Sequence, residues 1–213
     1  MQNSKVFGLG LSKTGTTSLC KALEILGYKT AHYITIDKFH EYDAVGDSPV
    51  PILYQRLDRE YQGSKFILTT RDKDEWLTSF GRHMNKWDLE KRIKVGTARA
   101  DTLLTRYQLY GTLKYEPQKL LAGFKQYHQE VLNYFSDRPH DLLVIDLSKG
   151  DSWQQLCDFL GRPVPTMAFP SSNTAEQVEK HLLKEKKLHR RLTKYFSSKI
   201  SRSALISANR QKG

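Results

Sequence analysis

Cysteine is nearly missing from this chain. Its 213 residues hold only Cys20 and Cys157, too few for a disulfide framework or a four-thiolate zinc site. Glycine (13) and proline (7) are sparse and follow no period, which excludes a collagen-like or other fibrous chain. No apolar run approaches the roughly 20 residues that cross a bilayer. The polar opening Met1-Gln2-Asn3-Ser4-Lys5 is unlike a secretory signal. A soluble, cytoplasmic protein is therefore expected. Aromatics are not short: eleven Tyr, nine Phe and three Trp are spread along the chain, so it has the means to build a core and is not disordered throughout. The length suits one domain, or one domain with an appendage.

Positive charge is in excess, at a formal +11. Its position matters more than its size. Residues 176–213 carry eleven Lys or Arg and three Glu, a net of +8, which leaves +3 for the first 175 residues. A body so near neutrality lacks the footprint of a nucleic-acid-binding fold, and no nucleic-acid partner is expected. The division also sets the expected organisation: a domain over residues 1–175, and a basic C-terminal helix or tail over 176–213. In that tail Leu182, Leu183, Leu188 and Leu192 recur at near-helical spacing among basic residues. The pattern fits a helix with a solvated basic face, or one that meets an anionic membrane surface.

Along the body, strand and helix patterns alternate. Val6-Phe7-Gly8-Leu9 is short and β-prone, Gly10 to Ser18 is rich in Gly, Ser and Thr, and Leu19, Leu23 and Leu26 then recur at helical spacing up to Gly27. Lys29 to Ile36 reads as a second strand and Ile52 to Tyr61 as a helix. Lys65 to Thr70 is a strong strand, followed by a helix carrying Trp76, Leu77 and Phe80. Helices are expected over Leu103–Tyr110, Leu120–Phe135 and Trp153–Leu160. Leu142-Leu143-Val144-Ile145 reads as a buried parallel strand, and Val164 to Asn173 as irregular. The alternation implies one α/β domain of three layers, with a mostly parallel central sheet flanked by helices as in the P-loop NTPases.

The loop from Gly10 to Ser18 carries the chemistry. A strand that hands over to a helix through such a loop presents successive backbone N–H groups and the positive end of the helix dipole, a setting suited to phosphate. Lys13 adds a full charge, Gly15 allows close approach, and Ser12, Thr14, Thr16, Thr17 and Ser18 add hydroxyls. The loop departs from a Walker A motif, which ends in Gly-Lys-Ser/Thr, because Thr16-Thr17 follow Gly15 and the lysine precedes it. A second anion site is offered by Arg71, at the end of the Lys65–Thr70 strand: its guanidinium presents a bidentate fork, and Ser79 follows one to two turns into the next helix.

Lys13-Thr14-Gly15-Thr16-Thr17-Ser18 resembles the 5′-phosphosulfate loop of the sulfotransferases that use 3′-phosphoadenosine-5′-phosphosulfate (PAPS). The usual proline before the lysine is Ser12 here, as in a subfamily whose loop starts Gly-Leu-Gly-x-x-Lys-Thr-Gly-Thr. Arg71 and Ser79 are similar to the family's 3′-phosphate segment. Gly27 to His32, Asp43 to Pro49, Leu156 to Gly161 and Phe169-Pro170-x-x-Asn173 resemble further elements, so the likeness covers about residues 5–175. It implies sulfuryl transfer from PAPS to a hydroxyl or amine of a small-molecule or carbohydrate acceptor, with 3′,5′-adenosine bisphosphate as product. Lys13 is expected to act at the leaving phosphate oxygen, and His32 or Asp47 as general base. The acceptor is expected against residues 81–117, where Trp87, Tyr107, Tyr110 and Tyr115 mix with basic residues. No metal is required, and the histidines show no ligand spacing. Two other readings compete. One is a nucleotide or small-molecule kinase, in which Leu142 to Asp146 would imitate a Walker B strand; it lacks the P-loop Gly-Lys-Ser/Thr. The other is a non-catalytic binding module on the same fold.

Overall fold

The computed structural model describes residues 4–86, 89–149 and 152–171. Five short strands form its centre: β1 (Val6–Gly8), β2 (Thr30–His32), β3 (Ala44–Gly46), β4 (Lys65–Thr69) and β5 (Leu142–Ile145). They pair in the order β2-β3-β1-β4-β5, every pair parallel. The helices are α1 (Thr16–Ile25), α2 (Val50–Glu60), α3 (Lys73–Lys86), α4 (Leu89–Lys94), α5 (Ala100–Tyr110), α6 (Pro117–Tyr134) and α7 (Ser152–Leu160). The expected α/β architecture with a parallel sheet flanked by helices is the one found.

Alternation along the strands divides the core between the two faces of the sheet. Phe7, Val45, Phe66 and Leu68 point to one side, where α2, α3, α5 and α6 supply Leu57, Trp76, Phe80, Tyr110, Phe124 and Tyr127. Val6, Ala44, Ile67 and Ile145 point to the other, against Leu19 and Leu23 of α1 and Leu156 of α7. The larger side is built on rings: Trp76 stacks on Phe80 at 5.0 Å and meets Phe124 at 4.5 Å. Two buried aromatic hydrogen bonds then fasten this core to the first loop. The Trp76 indole N–H donates to the Ser12 carbonyl, and the Tyr127 hydroxyl donates to the Leu9 carbonyl.

Three sequence expectations are corrected. The Lys29–Ile36 strand is only three residues long, because a 3-10 turn begins at Ile36. The segment 44–46, not expected as a strand, is β3, held between β1 and β2. β5 is parallel but lies at the edge of the sheet, and Val144 in its middle is 42% exposed. Its apolar run therefore does not mark a strand covered on both faces.

Met1–Pro170 is one compact unit. The basic segment 176–213 and Trp87 lie outside the described residues. No described helix is long and apolar enough to cross a membrane.

Candidate active site

Because every strand runs the same way, the loops that follow β1, β2, β3 and β4 emerge along one edge of the sheet. β1 lies inside, with β3 and β2 on one side and β4 and β5 on the other. The chain reverses direction across it, and such a switch point opens a crevice at the carboxyl ends of the strands. Register brings the elements level: Gly8 pairs with Gly46, and Gly46 with His32.

The β1–α1 loop is drawn tightly onto β4. A Cβ on Gly10 would stand 1.7 Å from the Thr69 hydroxyl and 2.7 Å from that of Thr14, so only glycine fits. Those two hydroxyls bond each other at 2.7 Å, and Thr14 also reaches the Leu11 carbonyl. Gly15 closes the loop at φ +103° and precedes α1, whose start has no side-chain cap and no acid in its first turn. The first backbone N–H groups of a helix have no partner within it, and here no carboxylate of the first turn competes for them. Lys13 sits in the same loop at φ +78°.

Across the crevice, His32 and Asp47 meet. His32 Nε2 lies 3.1 Å from Asp47 Oδ2, with the histidine side chain one-third exposed and the aspartate almost covered. Asp47 also accepts from the Thr16 and Ser12 hydroxyls at 3.0 and 3.1 Å and from the Ser48 N–H at 2.6 Å. Burial alone would raise this carboxyl. The hydrogen bond from His32, its charge, the Ser48 N–H and the Thr16 hydroxyl overcome that and hold it down at about 2. An ionised carboxylate facing Nε2 keeps a proton there, so neutral His32 carries its free lone pair on Nδ1. Strained backbone gathers at the same place: Lys13, Tyr33 and Asp47 are the non-glycine residues with positive φ among those described. Such strain persists where the surroundings over-determine it.

Arg71 lies just beyond β4. Its Nε and Nη2 both donate to Glu75 Oε2 at 3.1 Å, so in this state its fork faces a neighbouring carboxylate. Asp72 caps α3 by accepting from the Asp74 and Glu75 N–H groups. Ser79 is half-buried further along that helix.

The residues singled out in the sequence therefore fall on one edge of the sheet, with different duties for their side chains. The hydroxyls of Ser12, Thr14 and Thr16 engage protein partners and shape the loop. Thr17 reaches toward His32 Nε2 at 3.5 Å. Ser18 is buried on α1. Of the aromatics expected near the acceptor, Tyr110 is core, while Tyr107 and Tyr115 are 61% and 43% exposed.

A sulfotransferase domain family matches residues 5–38 and 35–178. The chain belongs to this family. Within it, the chain is similar to the Ava biosynthesis cluster protein M of Aspergillus versicolor, at 26% identity over 221 residues, covering 81% of this chain and 82% of that relative. For a sulfotransferase domain, the loop, the dyad and the arginine stand where transfer chemistry would be carried out. The kinase reading loses its Walker B candidate on structural grounds. β5 is separated from β1 by β4, and Asp146 at its end accepts from the N–H and hydroxyl of Ser148 in a closed turn.

Sequence reasoning missed two buried polar residues on the acceptor side, His83 of α3 and Arg106 of α5, which lie 3.2 Å apart. The signal was faint: only the four-residue spacing of Thr102, Arg106 and Tyr110 marks one face of α5.

Proposed function

We propose that this domain transfers a sulfuryl group from PAPS to a hydroxyl or amine of a small acceptor, with Lys13, His32 and Asp47 as its catalytic machinery. The observation that carries the reading is the uncapped start of α1 behind a loop bearing Lys13, set across one crevice from the His32–Asp47 pair. The site suits the donor at both ends. The α1 N-terminus and Lys13 would hold the 5′-phosphosulfate, and Arg71 with Ser79 the 3′-phosphate, once Arg71 exchanges Glu75 for the ligand. When bound, PAPS supplies the sulfuryl group and a phosphate leaving group.

The protein's own part is electrostatic and acid–base. His32 Nδ1 takes the acceptor's proton as the acceptor atom bonds to sulfur. The bond from sulfur to the bridging oxygen breaks, and its electron pair stays on the phosphate. Lys13 offsets the charge that grows there, a role in which preorganised charge is worth most. Asp47, kept ionised at neutral pH, holds the imidazole in one tautomer and stabilises the imidazolium once it forms. It is a poor base itself, since a carboxyl held at about 2 has little affinity for a proton. The choice left open between two bases thus resolves into a base and the residue that orients it.

The test is a binding competition followed by one mutation. 3′,5′-Adenosine bisphosphate is expected to raise the melting temperature, while ATP with Mg²⁺ does not; the reverse result would overturn the reading in favour of a kinase. Lys13→Ala is then expected to lose transfer from PAPS. Unchanged turnover in that variant would remove the central assignment.

A further inference from the structure

Arg106 is the most deeply buried arginine described, at 6% exposure, and it lies beside the dyad rather than in the distant core. Its position follows from contacts that can be traced. Tyr33, the residue after His32, bonds through its hydroxyl to Thr102 Oγ1 at 2.6 Å, and the Arg99 guanidinium stacks on the Tyr33 ring at 4.1 Å. These contacts pin the start of α5 to the end of β2. Arg106 is one turn further along the same buried face, followed after another turn by Tyr110. Its Nη2 donates to His83 Nε2 at 3.2 Å, and the guanidinium lies 5.7 Å from the Phe80 ring centre.

The charges around this pair identify where it faces. Burial, then Arg106, then Lys13 of the phosphate loop push the His83 imidazole down to about 4, against the pull of Asp47. Lys13, Asp47, His83 and Arg106 are therefore mutual neighbours around one volume. At neutral pH His83 is uncharged and accepts from the arginine, whose guanidinium always keeps its charge. The imidazole aims the cation without neutralising it. Asp47, the carboxylate of this group, already accepts from four donors. Burying a cation costs several kcal/mol unless an anion in the same low-dielectric space offsets it.

We infer that Arg106, aimed by His83, forms an anion seat on the acceptor side of the dyad, and that the acceptor carries a carboxylate or equivalent acid group beside the hydroxyl or amine it offers. Guanidinium and carboxylate match as a fork. Tyr33 and Phe80 provide apolar walls, and His32 stands at the reacting end. The inference rests on the PAPS reading above and adds the acceptor's class to it. Arg106 is thus a specificity-determining residue, and His83 a positioning residue behind it.

The experiment compares matched acceptors with and without the acid, 4-hydroxyphenylacetate against 4-ethylphenol and 4-hydroxybenzoate against 4-methylphenol. Release of 3′,5′-adenosine bisphosphate from PAPS is the readout. The acidic member of each pair is expected to be preferred in kcat/KM by about tenfold or more, the range of a charged hydrogen bond. Arg106→Met should abolish that preference through KM for the acid, and Arg106→Lys should restore part of it. Equal or absent turnover of the acidic members by the native protein would overturn the inference, a result independent of whether Arg106→Met folds. So would an equal loss for both members of a pair in Arg106→Met. Thermal stabilisation by the bisphosphate, measured alongside, separates the two levels: if it is missing, the PAPS reading fails; if it is present without acid preference, the anion seat alone fails.

Discussion

Asp47 allows a stability test that needs no substrate. The perturbation is Asp47→Asn, which keeps the shape and removes the charge. In the native protein the carboxylate is held at about 2, against an ordinary 3.8. At 1.36 kcal/mol per pH unit, that difference is worth about 2 kcal/mol of folding free energy at neutral pH. The sign follows from the depressed value. The contribution is fully present above about pH 4, where the unfolded carboxyl is ionised, and it drains away as pH falls toward 2. Counting hydrogen bonds leads to a similar size. Four donors meet the carboxylate, and an amide oxygen can accept only some of them, at roughly 1 to 3 kcal/mol for buried donors left unmatched. Urea unfolding can be followed by the fluorescence of buried Trp76 and Trp153. At pH 7 the variant is expected to be less stable by about 2 kcal/mol. At pH 3 the gap should be much narrower, because the native protein is losing what the variant never had. An equal gap at both pH values would refute the electrostatic account, as would no gap at pH 7.

Four further outcomes are expected. Arg71→Ala should weaken binding of 3′,5′-adenosine bisphosphate by at least about tenfold, measured by calorimetry, since a bidentate charged contact is lost. Glu75→Gln should act in the opposite direction: it frees the Arg71 fork from an exposed i,i+4 pair worth only a few tenths of a kcal/mol, so the bisphosphate should bind about twofold tighter or better. Gly10→Ala should damage the loop even before activity is assayed, because its Cβ overlaps the Thr69 hydroxyl; a drop in melting temperature and loss of bisphosphate stabilisation are expected together. Cys20 is buried and its thiol is pushed up to about 12, by burial first and then by Asp47 and Glu24, so native protein should resist iodoacetamide at pH 8 at this position while urea-unfolded protein reacts.

Local patterns announced much of this architecture. A β-prone run, a glycine- and hydroxyl-rich loop and leucines at helical spacing marked β1, the phosphate loop and α1, because each of those signals is written within a dozen residues. β3 escaped notice for the opposite reason. Ala44-Val45-Gly46 is too short to show alternation, and it is a strand only because β1 and β2 pair with it on both sides. The apolar run of β5 misled, since a sequence records that residues are apolar but not which of them end at an edge. The same limit applied within the site. His32 and Asp47 were each visible as candidates, yet their bond joins the ends of two strands and divides the chemical roles in a way no linear spacing expresses. Arg106 and His83 were hidden more completely, since a buried polar pair looks in sequence like any two residues on solvated helices.

The Thr14–Thr69 hydroxyl bond and the Trp76 indole bond to Ser12 have a consequence for how a two-ended ligand is measured. Both tie the loop that precedes α1 to the segment that carries Arg71. The gap between the two anion sites is thus a fixed calliper, set by buried contacts rather than by flexible arms. A ligand with one phosphate can occupy either jaw, but only one whose phosphates match the opening gains both contacts without ordering any backbone. Lengthening or loosening either fastening should therefore cost discrimination between nucleotides sooner than it costs affinity for phosphate itself.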